Sequence, residues 1–167
     1  DQIVVVKYIT SQTIKLDKVP LYAKAGCRYI SISPESGSKR VLKAIGKGFD
    51  HSYGESLVES CHKYGIYTQA CFLVGHPTET EEDHKLSCDY LRSLIRKGLD
   101  EVAVFTIASL AGSSLYKQKS IELSSEDALI SFSPKGRVGW EILEARRREL
   151  IKIFLFEIHL SIKFRTF

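Results

Sequence analysis

The sequence predicts an α/β domain with a parallel sheet. Short apolar runs alternate with amphipathic helical stretches in the order β-α-β-α-α-β-α-β. The runs are too continuously apolar for a sheet with one face in water. Two similar strand-to-helix corners, Ser33-Pro34-Glu35-Ser36-Gly37-Ser38 and Val74-Gly75-His76-Pro77-Thr78-Glu79-Thr80, each bring a carboxylate and hydroxyls to a turn. Their glutamates lie 44 positions apart (79 − 35), about one β-α repeat. That spacing predicts a shared polar pocket at the carboxyl ends of neighbouring parallel strands, where such folds keep their ligand sites.

Ile3 to Ile9 is β-branched and nearly continuous, the pattern of a strand covered on both faces. Helical spacing follows from about Leu16 to Ala25 and is closed by Gly26. Arg28 to Ser33 reads as the second strand. A helix from Ser38 to Ile45 puts Val41, Leu42 and Ile45 on one face and stops at Gly46. Ser52 or Ser56 starts the next helix, which ends at Tyr64-Gly65, and Ile66 to Val74 is the third strand. Thr80 is a candidate N-cap for a helix over Glu81 to Lys97, with Glu81, Glu82 and Asp83 at the positive end of its dipole. Gly98 ends that helix, and Glu101 to Ile107 supplies a fourth strand. After Tyr116 the pattern is irregular, with a loop at Ser131 to Gly136, and Trp140 to about Phe156 reads as a helix. The tail then alternates Phe156, Ile158, Leu160, Ile162 and Phe164 with Glu157, His159, Ser161, Lys163 and Arg165. That is strand periodicity where a helix could equally continue, and both readings stay open. The organisation is a single domain over 1–167, a repeat region at 1–116 followed by an irregular loop and terminal helix at 117–167.

At 167 residues and 44% hydrophobic content the chain can bury one core. It holds no uncharged apolar stretch of about 18 residues, so no transmembrane segment is expected. It opens on Asp1-Gln2 without a basic leader, so no signal peptide is expected, and the absence of methionine fits an excised piece or an incomplete reading frame. A net charge of +4 is mild, and the basic residues of Arg137 to Lys152 and Lys163 to Arg165 read as a solvated surface, not a nucleic-acid site. Cys27, Cys61, Cys71 and Cys88 are spaced by 34, 10 and 17 positions and form no metal-binding cluster motif. No metal site made by this chain alone is expected, Cys27 and Cys71 read as small buried hydrophobes, and the protein reads as reduced and cytoplasmic.

The corners admit two chemical readings. Glu35 with its serines can accept hydrogen bonds from an amine or a sugar diol, Gly37 permits close backbone approach, and the helix end offers N–H groups to an anion. Equally, Glu35 and the serines cap a helix, and Glu79 serves a turn or a helix dipole. Lys47 either reaches back to neutralise a ligand carboxylate or is an ordinary solvated lysine. His62 reads as a core or surface residue, whereas His76, on the second corner, is an acid–base candidate.

Three segments resemble a known family. Ala25-Gly26-Cys27, with the strand after it and Pro34 to Gly48, looks like the "aGc…ESGS…vL..i.Kg" stretch of radical S-adenosylmethionine (radical SAM) enzymes. Phe72 to Asp83 resembles their "f.iGlPgET.ed" segment, and Ala111-Gly112-Ser113-Ser114-Leu115-Tyr116 is similar to their "PGT.LY" loop. The subgroup most resembled includes cobalamin-associated and methylthiotransferase-like members. The resemblance implies a partial (β/α) TIM-like barrel, here a half-barrel of about four parallel strands with outer helices and a C-terminal helical segment. It implies S-adenosylmethionine held against a [4Fe-4S] cluster, whose electron cleaves the sulfonium to a 5′-deoxyadenosyl radical, and possibly cobalamin in the full-length enzyme. Residue by residue, Glu35, Ser36 and Ser38 match the strand-end motif, with Glu35 nearest the amino or ribose groups. Lys47 matches the basic position near the methionyl carboxylate. Leu73, Val74 and Gly75 match the adenine-contacting strand, Pro77 and Glu79 shape its turn, and Ala108 and Ser109 flank the adenine.

The family's CxxxCxxC is absent, so the cluster ligands are expected outside this chain, on a missing N-terminal half-barrel or a covering protein partner. Serine, histidine, threonine and alanine at positions 33, 76, 78 and 111 stand where the family tends to have glycine or other small or apolar residues. The expectation is part of a radical SAM enzyme that carries the SAM-binding strands; the alternatives are a degenerate, non-catalytic ligand- or protein-binding half-barrel and an unrelated TIM-barrel enzyme with convergent turns. Its substrate is not specified by these motifs, since family members methylate, thiolate, rearrange or cyclise very different molecules.

Overall fold

A computed structural model describes residues 6–8, 14–107 and 140–165. Four strands, β1 (Val6–Tyr8), β2 (Tyr29–Glu35), β3 (Tyr67–Val74) and β4 (Glu101–Thr106), form one sheet in the order β1-β2-β3-β4 with every pairing parallel. Neighbours in sequence are neighbours in the sheet, the winding of a β/α barrel and not of an open sheet with a reversal point. A 3₁₀ turn, Leu16–Lys18, leads into α1 (Val19–Lys24); α2 (Lys39–Ala44) and α3 (His51–Lys63) join β2 to β3, α4 (Glu81–Arg96) joins β3 to β4, and α5 (Trp140–Arg165) follows.

The core lies between one sheet face and the helices. Ile30 and Ile32 of β2, Ala70, Phe72 and Val74 of β3 and Val104 of β4 face Leu57, Val58 and Cys61 of α3 and Leu91 and Leu94 of α4. α5 packs on α4, on β4 and on the end of β3, with Leu150 fully buried. The expectation that the strands are covered on both faces meets a difference at β3, where burial alternates residue by residue. Tyr67, Gln69, Cys71 and Leu73 lie on the second face, with Tyr67 exposed. That face is polar at the strand beginnings. Tyr29 Oη donates to Glu101 Oε2 at 2.7 Å, Gln69 Nε2 donates to Glu101 Oε1 at 2.8 Å, and Ser31 Oγ donates to Gln69 Oε1 at 3.0 Å.

The helix boundaries follow from capping. Asp50, and neither Ser52 nor Ser56, caps α3, accepting the Ser52 and Tyr53 amides at 3.0 and 3.2 Å. A carboxylate one residue before the helix reaches the free N–H groups that serines inside it cannot. Thr80 caps α4 as expected, and Asp83 returns the bond to the Thr80 amide at 2.8 Å, completing a capping box. The first helix begins later than the periodicity suggests, because Pro20 is accepted only in a helix's first turn. The alternating tail is helical through Arg165, so the helical reading holds there.

Candidate functional site

Both corners stand at the carboxyl ends of adjacent strands. In β2 the register against β3 slips between Ile32, opposite Ala70, and Glu35, opposite Phe72. One extra residue is accommodated beside Pro34, which has no N–H for the ladder. Glu35 leaves the strand with φ 62°, a left-handed backbone that among non-glycine described residues only it adopts. Its carboxylate pairs with Lys47 Nζ. Lys47 is brought there by the turn after α2, where its amide bonds to the Leu42 carbonyl at 2.9 Å. Both side chains remain partly exposed, at 15% and 27%. Lys47 is therefore neither an ordinary solvated lysine nor, in this structure, set against a ligand carboxylate: it reaches back to Glu35 of the same chain.

The serines turn under the corner toward α4. Ser36 Oγ lies 3.1 Å from Ser87 Oγ and accepts the Ser38 amide at 3.1 Å. Ser87 Oγ accepts the Gly37 amide at 3.0 Å, and Ser38 Oγ donates to Asp83 Oδ1 at 2.6 Å. The space that Gly37 leaves open is filled by α4: a Cβ there would sit 2.2 Å from the Leu86 carbonyl oxygen. The close approach that Gly37 permits is therefore to a helix of the same chain, and the amides of Gly37, Ser38 and Val41 already have partners.

Asp83 joins the two corners. It receives Ser38, Thr80 and a two-pronged contact from Arg40, whose guanidinium also donates to the Thr78 carbonyl on the second corner. Burial opposes its ionisation, yet the hydrogen bonds from Arg40, Ser38 and Thr80 hold its carboxyl well below the usual carboxylate range. The Thr80-x-x-Asp83 spacing signals the cap in the sequence; the Arg40 contact, 43 positions away, has no local signal.

At the second corner Glu79 Oε2 accepts the Gly75 amide at 2.7 Å, while the Glu79 amide donates to the His76 carbonyl at 2.8 Å, which closes the turn. The Glu79 side chain is 1% exposed and is met by Arg146 of α5 at 3.2 Å; Arg146 also reaches Glu81 at 2.6 Å. Arg146, within the run read as solvated surface, is thus a buried partner: its side chain is 11% exposed because α5 folds back over this corner. Leu143 of the same helix lies against Gly75, where a Cβ would come within 2.9 Å of it. Pro77 is exposed at the turn's tip. His76 is buried, with Nδ1 2.9 Å from Thr78 Oγ1 and accepting the Thr78 amide, and burial lowers its pKa below the ordinary 6.5. His62 is at the surface, its ring against Gly98.

Leu73 lies on the open sheet face and Val74 on the packed one, with the Val74 carbonyl taken by the Ile107 amide at 2.9 Å. Ala108, Ser109 and the Ala111–Tyr116 segment lie outside the described residues. The thiols do not converge. Cys61 is buried in the core, where burial and then the nearby Cys27 push its pKa up to about 12; Cys88 lies under α5, and Cys71 is beside Ser31 and Gln69 on the open face. Cys27 and Cys71 are half-buried and not, as expected, buried hydrophobes. Among the described residues the one group of close metal-ligating side chains holds a single thiol, so these residues do not fit a [4Fe-4S] cluster, which asks for several thiolates together.

The radical SAM superfamily model matches residues 2–91, more than half of the chain. The chain belongs to the radical SAM superfamily. It is 31% identical over 86 residues to an uncharacterized methyltransferase of Pyrococcus horikoshii, covering 52% of this chain and 18% of that protein. It is 30% identical over 105 residues to the tRNA-2-methylthio-N(6)-dimethylallyladenosine synthase of Methylacidiphilum infernorum, covering 60% and 22%. Over 148 residues it is 28% identical to the ribosomal protein uS12 methylthiotransferase RimO of Symbiobacterium thermophilum, covering 87% and 29%. The chain thus spans about a fifth of the length of the first two relatives. Among solved structures, coproporphyrinogen III oxidase HemN of Escherichia coli superposes with a TM-score of 0.61 at 20% identity, covering 77% of this chain and 31% of that one. The methyltransferase TsrM of Kitasatospora setae gives 0.52 at 21%, covering 60% and 20%. These likenesses carry the fold: the four parallel strands are part of a radical SAM-type barrel.

Proposed function

We propose that this chain supplies S-adenosylmethionine-binding strands to a radical SAM enzyme whose cluster ligands lie outside this sequence, on an N-terminal half-barrel or a partner protein. The observation that carries this reading is the Glu35–Lys47 pair at the end of β2, opposite charges kept partly exposed on a strained backbone. An amino-acid zwitterion needs that donor set: a carboxylate for its ammonium and an ammonium for its carboxylate. Strain at a strand end is retained where geometry matters for binding. Gly75 ends the neighbouring strand with its amide held by Glu79, and we assign the adenosyl part to the partly exposed strand end beside it. The family's chemistry is one-electron cleavage of the sulfonium by the cluster, and no step of it is assigned to these residues. Glu35 and Lys47 bind and orient; α5 and the corner network hold the two strand ends in register.

Calorimetry of the protein with S-adenosylmethionine tests this. Glu35→Gln and Lys47→Met are each expected to weaken binding at least tenfold, about 1.4 kcal/mol, with unchanged circular dichroism. Unchanged affinity in both variants would sink the reading.

A further inference from the structure

Away from the corners, α4 and α5 bring three side chains of metal-ligating type together. His84 and Cys88, four residues apart on α4, present Nε2 and Sγ on one side of the helix, 3.6 Å apart. Glu149 of α5 places Oε2 3.0 Å from His84 Nε2, and the three donor atoms all lie within 4.8 Å of one another. Around a tetrahedral zinc ion with bonds of about 2.0–2.3 Å, neighbouring nitrogen, sulfur and oxygen donors stand roughly 3.3–3.7 Å apart. Two sides of the observed triangle, 3.6 and 3.0 Å, are close to that size and the third is no longer than 4.8 Å, so small side-chain adjustments bring the three donors around one ion.

We propose that His84, Cys88 and Glu149 form a three-ligand site for Zn²⁺, or a divalent transition metal of similar softness, that fastens α5 to α4. A His–Glu hydrogen bond alone would join the helices, but the thiol adds a third donor directed at the same point. Imidazole, thiolate and carboxylate together suit zinc and not a hard oxygen-seeking ion such as Mg²⁺. His84 and Cys88 are each 3% exposed, and the buried His84 Nδ1 has no hydrogen-bond partner among the described residues. Binding a metal at Nε2 places the imidazole proton on that nitrogen, and Glu149 exchanges its hydrogen bond to Nε2 for a bond to the metal. The Glu149 side chain is 57% exposed, so the site opens to solvent on that side, which gives the ion a way in and leaves a fourth position for water. Burial pushes the Cys88 thiol up to about 12, so the metal must displace its proton: one proton leaves Sγ for solvent as the metal–sulfur bond forms, with no change of oxidation state. The cysteine spacing gives no hint of such a site, because only one ligand is a cysteine and the third lies 61 positions after it (149 − 88).

Titration of the metal-stripped protein with Co²⁺, then displacement by Zn²⁺, tests the proposal without reference to SAM. One equivalent of Co²⁺ should give a thiolate-to-cobalt charge-transfer band and the intense visible bands of a tetrahedral centre, and Zn²⁺ should bleach them and raise the melting temperature. Cys88→Ala should remove the charge-transfer band, whereas Cys71→Ala should keep it. Glu149→Gln, at a largely exposed position, tests the site independently of any folding defect in Cys88→Ala and should weaken the metal at least tenfold. A band retained in Cys88→Ala, unaltered affinity in Glu149→Gln, or a melting temperature indifferent to zinc would each overturn the site.

Discussion

Glu35 is held with φ 62° where glycine would sit more cheaply. A left-handed non-glycine residue costs about 1–2 kcal/mol. Glu35→Gly is therefore expected to leave the urea midpoint unchanged or higher while abolishing the contribution of the carboxylate to S-adenosylmethionine binding. A lower midpoint together with unchanged binding would show that the carboxylate serves stability alone. Gly37 presents the opposite case. A methyl group there collides with the α4 backbone, which cannot move aside as a flexible side chain would. Gly37→Ala should cost about 3 kcal/mol, read as a lower denaturation midpoint. The sequence marks both positions as a turn, but only the fold shows that one glycine serves helix contact and one glutamate occupies a glycine-like conformation.

Among the elements, α4 depends on Asp83, whose carboxyl is shared by its own N-cap and by the β2–α2 corner. The folded-state pKa of Asp83 is depressed, so its stabilisation is fully present above the ordinary aspartate range, near pH 4. It is lost as the pH falls further through the lower folded value. Asp83→Asn should reduce stability at pH 7 and flatten the acid limb of a pH–stability curve; a parallel curve displaced by a constant amount would refute the assignment. The buried Glu79–Arg146 pair fixes α5 in the same way. Arg146→Ala leaves a carboxylate under the helix without its cation and is expected to cost about 3–5 kcal/mol in chemical denaturation. A value under about 1 kcal/mol, typical of a surface pair, would mean that α5 does not cover Glu79 in solution.

For the whole molecule, the parallel order β1-β2-β3-β4 gives a sector of a barrel, with β1 and β4 each paired on one side only among the described residues. Reconstitution of the isolated chain with iron and sulfide should give no stoichiometric [4Fe-4S] absorbance, since the described thiols are dispersed between core, α5 interface and open face. A stoichiometric cluster would require the thiols to regroup and would contradict this fold.

The sequence by itself determined the element order, the glycine stops, the capped start of α4 and the family. Each of these rests on backbone preferences and motifs a few residues long. Tertiary structure decided what the polar residues of the corners touch. Lys47 meets Glu35 after a twelve-residue excursion, Ser38 and Arg40 meet Asp83 across two helices, and Arg146 returns from a distant helix to Glu79. It also settled the alternating tail as helix, because period-two alternation there is outweighed by a helix that already packs Leu150, Ile153 and Phe154 against the domain and can simply continue its own backbone bonds. Local patterns fix where a chain turns; which charges then meet depends on packing between segments far apart in sequence, and no short window of residues contains it.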